Sequence, residues 1–258
     1  MTTGKFGAEA VAETTHFGFE KVRVEEKASR VAEVFDTVSS KYDFMNDVIS
    51  LGTHRFLKWH AITASNIKPG SRVLDIAAGT GDLTILISKR VGPHGSAILS
   101  DINSQMLEAA RKRLSRSGIP DNVKFLHADA EELHFADDTF DAVTIGYGIR
   151  NFTDKMRALR EILRVLKPGG QLTIVEFSRP TSKPLRMMAD AYSSLWPTLG
   201  EILVGNGKPY RYLVASIRMH PDQETFKSMM QHAGYAHVSY ENLMGGIAAL
   251  HIGLKPQV

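Results

Sequence analysis

The sequence predicts an α/β fold: a mostly parallel sheet with helices on both faces, finished by an antiparallel strand pair at the C-terminus. Three observations carry that prediction. Short apolar, partly β-branched runs at 72–76, 97–101, 123–127, 140–147 and 171–177 alternate with segments of helical period. The first run enters a tight turn of small residues, Ala77-Ala78-Gly79-Thr80-Gly81, and leaves it as a helix. The last two runs, 237–243 and 247–254, are joined only by Met244-Gly245-Gly246, too short for a crossover, so they pair antiparallel.

Composition narrows the class. The chain has 258 residues, 43% hydrophobic and 23% charged, enough for one domain with a sizeable core. It has no cysteine, which excludes a disulfide framework, a thiolate nucleophile and a cysteine metal site, and fits a reducing cytoplasm. A net charge of +3, from 31 basic and 28 acidic residues, is too small an excess to argue for a nucleic-acid partner. No apolar run approaches the roughly 20 residues that span a bilayer, and the N-terminus lacks a signal-peptide pattern. The expectation is a cytoplasmic protein. No His/Asp/Glu group has metal-ligand spacing, so no metal is expected.

In chain order, residues 1–23 read as a flexible lead-in, with Phe17 and Phe19 as candidate docking points. Residues 24–66 keep helical period through Val24, Ala28, Val31, Phe35 and later Leu57, Ala61 and Ile62, and read as a helical cap over the mouth of a site. Residues 24–258 form a single domain. After the glycine turn, the helix 83–91 and strand 97–101 follow. The next helix, 106–117, turns Met106, Leu107, Ala110 and Leu114 inward and leaves Arg111, Lys112 and Arg113 as a solvated face. Strand 140–147 ends in Gly146-Tyr147-Gly148-Ile149-Arg150-Asn151, at the carboxyl edge where open α/β sheets bind ligands. A helix at 155–166, a Lys167-Pro168-Gly169-Gly170 turn and strand 171–177 complete the parallel part. Residues 178–222 exceed what a crossover needs. Their Met, aromatic and aliphatic content suits the wall of a greasy pocket or a membrane-touching surface, or plain packing on the sheet.

The chemistry-bearing pattern centres on Gly79 and Gly81, which let a ligand approach the backbone at a helix N-terminus. Asp101 ends the second strand roughly 20 residues on, where a carboxylate meets a ribose hydroxyl pair; the alternative is a cap for the helix that follows. Thr84 stands where a dinucleotide fingerprint wants its third glycine, which argues against NAD. Asp75, at the end of the first strand, is placed to organise the loop and face an amino-acid ammonium group. Asp129 is a candidate for an adenine amine, or a simple turn cap.

Asp75-x-Ala77-x-Gly79-x-Gly81 resembles the cofactor loop of class I S-adenosylmethionine-dependent methyltransferases, which implies their Rossmann-like sheet and S-adenosyl-L-methionine as cofactor. Three further segments are similar to the UbiE-type C-methyltransferases of quinone biosynthesis. They are Tyr42-Asp43-Phe44-Met45-Asn46 through His54, Arg164-Val165-Leu166-Lys167-Pro168-Gly169-Gly170 through Ser178, and Ser216-Ile217-Arg218-Met219-His220-Pro221-Asp222-Gln223. The likeness runs from about His16 to Lys255. Carried over residue by residue, it implies cofactor contacts at Thr80, Asp101, Asp129 and Ala130. Gly146 stands where the family commonly has a contacting serine, which leaves a backbone contact there. Leu57 and Ala78 depart from the family's Trp and Gly.

The resemblance implies C-methylation of a polyprenylated quinol ring, in menaquinone biosynthesis, ubiquinone biosynthesis or both. It also implies transient contact with the inner membrane surface, and leaves a homodimer or a quinone-biosynthesis complex open. Arg150 with Asn151 is the first catalytic candidate. Arg stays cationic, so it would stabilise a developing phenolate rather than act as a base. The alternative is an Arg–carboxylate pair that anchors the loop. Tyr42, Asp43 and Asn46 form a second set facing substrate, and Tyr147 a third. His54 and His220 are read as structural.

Overall fold

The computed structural model describes residues 14–37, 42–116, 118 and 122–257, with the backbone alone described at Tyr42 and Asp43. The chain opens with a hairpin, β1 (Thr14–Phe17) and β2 (Glu20–Arg23), then α1 (Val24–Asp36), α2 (Tyr42–Ser50) and α3 (Thr53–Ala64). The sheet unit follows as β3 (Arg72–Ile76), α4 (Asp82–Val91), β4 (Ser96–Asp101), α5 (Ser104–Arg116), β5 (Val123–His127) and β6 (Phe140–Gly146). A 3-10 turn, Ile149–Asn151, precedes α6 (Lys155–Val165) and β7 (Leu166–Phe177). Three helices come next, α7 (Lys183–Ser194), α8 (Trp196–Val204) and α9 (Lys208–Met219). The chain ends with α10 (Gln223–His232), β8 (Ala236–Leu243) and β9 (Ala248–Leu254).

Seven strands form one sheet in the order β5-β4-β3-β6-β7-β9-β8. The first five are parallel; β9 runs antiparallel to both β7 and β8. The strands alternate faces as the pleat requires. Leu74, Ile76, Val143, Ile145, Leu172 and Ile174 pack under α6 and α10. Val73, Ala97 and Ala142 meet α3 and α4, while Leu99 meets α5. A further core, Met45, Ile49, Trp196 and Tyr210, joins α2 to α8 and α9 and meets the sheet at Phe177, the end of β7.

Three sequence expectations change. Within the lead-in read as flexible, residues 14–23 form a hairpin closed at Gly18, whose φ of 59° suits glycine. Phe17 stacks on Tyr212 at 4.4 Å, whereas Phe19 stays exposed. The cap 24–66 divides: α3 belongs to the sheet layer, with Leu57 and Ala61 packed on Val175 and Leu250, which leaves α1 and α2 over the site. The 167–170 turn lies inside β7, across from a register shift between Phe140 and Ala142.

Candidate active site

At β3 the sheet order changes direction, since β3 lies between β4 and β6, and ligands of open α/β sheets bind outside the carboxyl ends at such a point. A cavity opens there, open to solvent on one side. The turn 76–80 is its floor, and residues that follow β4, β5 and β6 line its sides. Ala28, Val31, Ala32 and Phe35 of α1 roof it. The roof is pinned at two places. Lys27 Nζ donates to the Phe152 carbonyl at 2.9 Å, and Asn103 Nδ2 donates to Asp36 Oδ1 at 2.8 Å and the Ala32 carbonyl at 3.2 Å.

Two non-glycine residues take left-handed backbone at the ends of adjacent strands, Ala77 at φ 51° and Tyr147 at φ 59°. Such strain persists only where the surroundings enforce it, and here both line the cavity. The two turns interlock, because a Cβ on Gly148 would lie 2.5 Å from that of Ala77.

Asp101 lies at the cavity wall, nine-tenths or more buried. Its Oδ2 accepts the Gly79 N–H and its Oδ1 the Asn103 N–H, each at 2.9 Å. Burial pushes its carboxyl up, and those two N–H bonds pull partly back. It does not cap the next helix: Asn103 Oδ1 does, accepting Met106 N–H at 2.9 Å. Asp129 lines the cavity while its Oδ1 accepts the Glu131 N–H at 2.9 Å, so the turn-cap alternative is present beside the binding position. Thr80, Gly79, Ala130, Gly146, Tyr147 and Asn151 share the same cavity.

Three expected site residues lie elsewhere. Asp75 does not face the cavity. It is fully buried beneath the loop, with Thr84 Oγ1 donating to Oδ2 at 2.6 Å and Thr144 Oγ1 to Oδ1 at 2.8 Å. Burial raises its pKa to about 6 against those hydroxyls, and its two hydroxyl bonds tie the loop to the helix and strand beside it. Gly81 faces the core: at φ 86°, its Cβ would lie 2.9 Å from Leu114 and 3.0 Å from Leu99. Arg150 lines a second, smaller cavity, with Val34, Phe35, Met45, Asn46 and Tyr210 among its other walls. Its Nη1 donates to Glu176 Oε1 at 2.9 Å and to the Tyr147 carbonyl, and its N–H donates to Glu176 Oε2 at 3.2 Å. The anchoring pair is therefore present, and the same side chain walls the second cavity. The side chains of Tyr42 and Asp43 fall outside the described residues.

The two cavities share Phe35. Tyr212 Oη, on the second, donates to Asn151 Oδ1, on the first, at 3.0 Å. Burial pushes the Tyr212 phenol up to about 12 and raises that of Tyr147 further. Sequence reading missed Phe35, Lys58, Asn103, Glu176 and Tyr212 as site residues. Glu176 left a signal: an acid inside the apolar run Leu172-Thr173-Ile174-Val175-Glu176-Phe177 needs a buried partner.

This is the fold of class I S-adenosylmethionine-dependent methyltransferases. A crystal structure of such an enzyme from Aquifex aeolicus matches at TM-score 0.58 and 18% identity, covering 77% of this chain and 89% of that one. The [4+2]-cyclase SpnF matches at TM-score 0.62 and 14% identity, over 90% and 97% of the two chains. At that distance the likeness shows the fold alone. Sequence goes further: the chain belongs to the ubiE/COQ5 methyltransferase family, whose model matches residues 22–255. It is 52% identical over 257 residues to the ubiquinone/menaquinone biosynthesis C-methyltransferase UbiE of Pseudomonas paraeruginosa, covering 99% of this chain and 100% of that one. The protein of the same name from Vibrio vulnificus is 54% identical over 245 residues, 95% of this chain and 94% of that one.

Proposed function

We propose that the chain transfers a methyl group from S-adenosylmethionine to a ring carbon of a polyprenylated quinol, in menaquinone biosynthesis, ubiquinone biosynthesis or both. The carrying observation is the shared wall. A polar-ended cavity at the sheet switch point and a mostly apolar one holding Arg150 meet at Phe35. The first cavity suits the cofactor. Asp101 offers two oxygens to a ribose, and the small side chains Ala28, Ala32 and Ala130 leave room for a flat base between roof and wall.

When bound, S-adenosylmethionine supplies an electrophilic methyl group. The protein's part is to hold the acceptor against it, keep water out and stabilise charge. Arg150 stays cationic at any working pH and presents its charge to the oxygen of a quinol that has lost its proton. Glu176 fixes that guanidinium in place. Tyr212, with its phenol pushed up to about 12, keeps its proton and orients Asn151 rather than serving as a base. Residues of α1 line both cavities, so one element would shield both from water once the ligands are bound.

The prenyl tail puts the acceptor in a membrane, and the chain meets it as a peripheral protein. Among the described residues no helix is long and apolar enough to cross a bilayer. Support comes from large apolar side chains left in solvent on α7 and α8, such as Met188 at 68% and Ile202 at 73% exposure, and on α2 and the turn after it, such as Phe44 at 53% and Leu51 at 81%. Tyr192 Oη donates to the Ile49 carbonyl at 3.0 Å, which ties α7 to the end of α2.

The test is a transfer assay with methyl-labelled cofactor and two reduced acceptors, a demethylmenaquinol and a methoxy-polyprenyl-benzoquinol. Label on a ring carbon of either supports the reading, and the pair shows whether one or both are substrates. Label on a phospholipid amine and on neither quinol would overturn it. Sedimentation with quinone-loaded vesicles tests the membrane contact separately.

A further inference from the structure

Among the described residues that line the two cavities, none belongs to the hairpin β1–β2. Two strands of four residues make no stable unit alone, so the hairpin stands by what it docks on. Phe17 lays its ring on that of Tyr212 in α9, with centroids 4.4 Å apart and planes 23° from parallel, a stacked aromatic pair. Gly18 brings the turn onto the same helix, since a Cβ there would lie 2.9 Å from that of Ala215. Arg30 of α1 faces the hairpin too, 3.5 Å from Glu20, but these side chains are 43% and 72% exposed and hold weakly. The stack and the Gly18 contact are the dock.

Tyr212 is where that dock meets the chemistry. It is buried in the wall of the second cavity, and its hydroxyl reaches across to Asn151 Oδ1, at the first cavity, at 3.0 Å. A buried phenol needs an acceptor, and with its pKa pushed up to about 12 this one stays a donor. The amide oxygen of Asn151 is therefore the atom turned to Tyr212, and its NH2 group is left over. Among the described residues nothing accepts from that NH2 group. At 3.0 Å the bond sits at the long end of the O–H···O range, so a ring displacement of under about 1 Å ends it.

We infer that Phe17 is a positioning residue for the proposed methyl transfer: it holds the Tyr212 ring so that the hydroxyl keeps the Asn151 amide in one orientation, its NH2 group offered to the acceptor. The inference rests on that reaction and extends the site to a segment ahead of the residues matched by the family model, which begin at 22. Without the Phe17 ring, one face of Tyr212 loses its partner, the hydroxyl leaves Asn151 and the amide turns freely. Losing one such bond lowers kcat about 3- to 10-fold.

The experiment is a mutant cycle on the full chain: Phe17→Ala, Tyr212→Phe and the two together. It is read as kcat for transfer to the reduced quinols, and as the side-chain amide resonances of Asn151, assigned by their loss in Asn151→Asp. Each single variant lowers kcat by the factor above and moves the Asn151 resonances. The double variant is no worse than Tyr212→Phe alone, to within about twofold, because Phe17 acts through the hydroxyl. Phe17→Tyr, which keeps the stack, recovers most of the loss, and Phe19→Ala, on the exposed side of the same hairpin, leaves kcat as it was. Losses that multiply in the double variant would overturn the inference. An equal loss from Phe19→Ala would also overturn it, since the hairpin would then serve stability alone. If the wild type transfers methyl to neither quinol, the reaction itself fails as a separate result, and the resonances decide: unmoved in Phe17→Ala, they overturn the role of Phe17. Should Phe17→Ala unfold, Phe17→Leu takes its place in the cycle.

Discussion

Around the first cavity the backbone does the shaping; around the second, side chains do. The first is floored by a turn with left-handed residues at 77 and 79, and its acid Asp101 is fixed by main-chain N–H groups. The second is walled by Met45, Tyr210 and Tyr212 from helices that share a small core, which meets the sheet at Phe177. A backbone-built site is rigid and tolerates few replacements at its glycines. A side-chain-built one can change its volume through single substitutions without disturbing the other. The division suits an enzyme that holds its methyl donor and its acceptor in separately built sites.

The joint between the two regions is the Arg150–Glu176 pair, and breaking it has the largest effect. Glu176→Leu leaves the Arg150 charge buried without its carboxylate, which costs about 3–5 kcal/mol of stability. Denaturant unfolding measures this, and methyl transfer falls with it. A smaller loss would mean that the cavity hydrates the guanidinium and that the regions are less tightly joined.

Gly200→Ala sharpens the comparison by acting on one side only. A Cβ there would lie 2.0 Å from the Tyr210 ring, where α8 crosses α9. The ring must move within the second cavity, at a cost of about 1–3 kcal/mol. The acceptor KM rises several-fold while the cofactor Kd stays within twofold. A change in both constants would break the separation.

Acid tests the C-terminal flank of the side-chain region. His220 and His251 are buried, and burial lowers both pKa values below 6.5. Their folded forms resist the proton that the unfolded chain takes up near pH 6.5, so their contribution is complete above that pH. It declines as pH falls below it, by at most about 1.4 kcal/mol per pH unit for each group. Urea midpoints at pH 7.5 and 5.5 check this, and His251→Gln flattens the slope. The smallest effect is expected at the surface. Met188→Ser with Ile202→Ser changes stability by less than about 0.5 kcal/mol each, yet lowers the fraction bound to vesicles.

What was legible in the sequence follows the same division. Gly79, Thr80 and Asp101 could be placed because turn chemistry and strand period are local. Asp75 and Gly81 stood in the right motif for a different reason: one supports the loop from below, the other lets α5 close on β4. Phe35, Lys58 and Tyr212 were not legible as site residues, because each reaches the site through packing between distant segments. Tyr212 and Asn151, for instance, are 61 residues apart. The hairpin at 14–23 was missed since its strands have four residues each, too few to show a period.

Gly81 has a consequence for inheritance. At φ 86° a side chain there is strained, and Leu99 and Leu114 would have to shift to admit it, whether or not a ligand is present. A descendant that lost the methyl donor and took up another chemistry would still favour that glycine. In such lineages the glycine would record ancestry rather than present use.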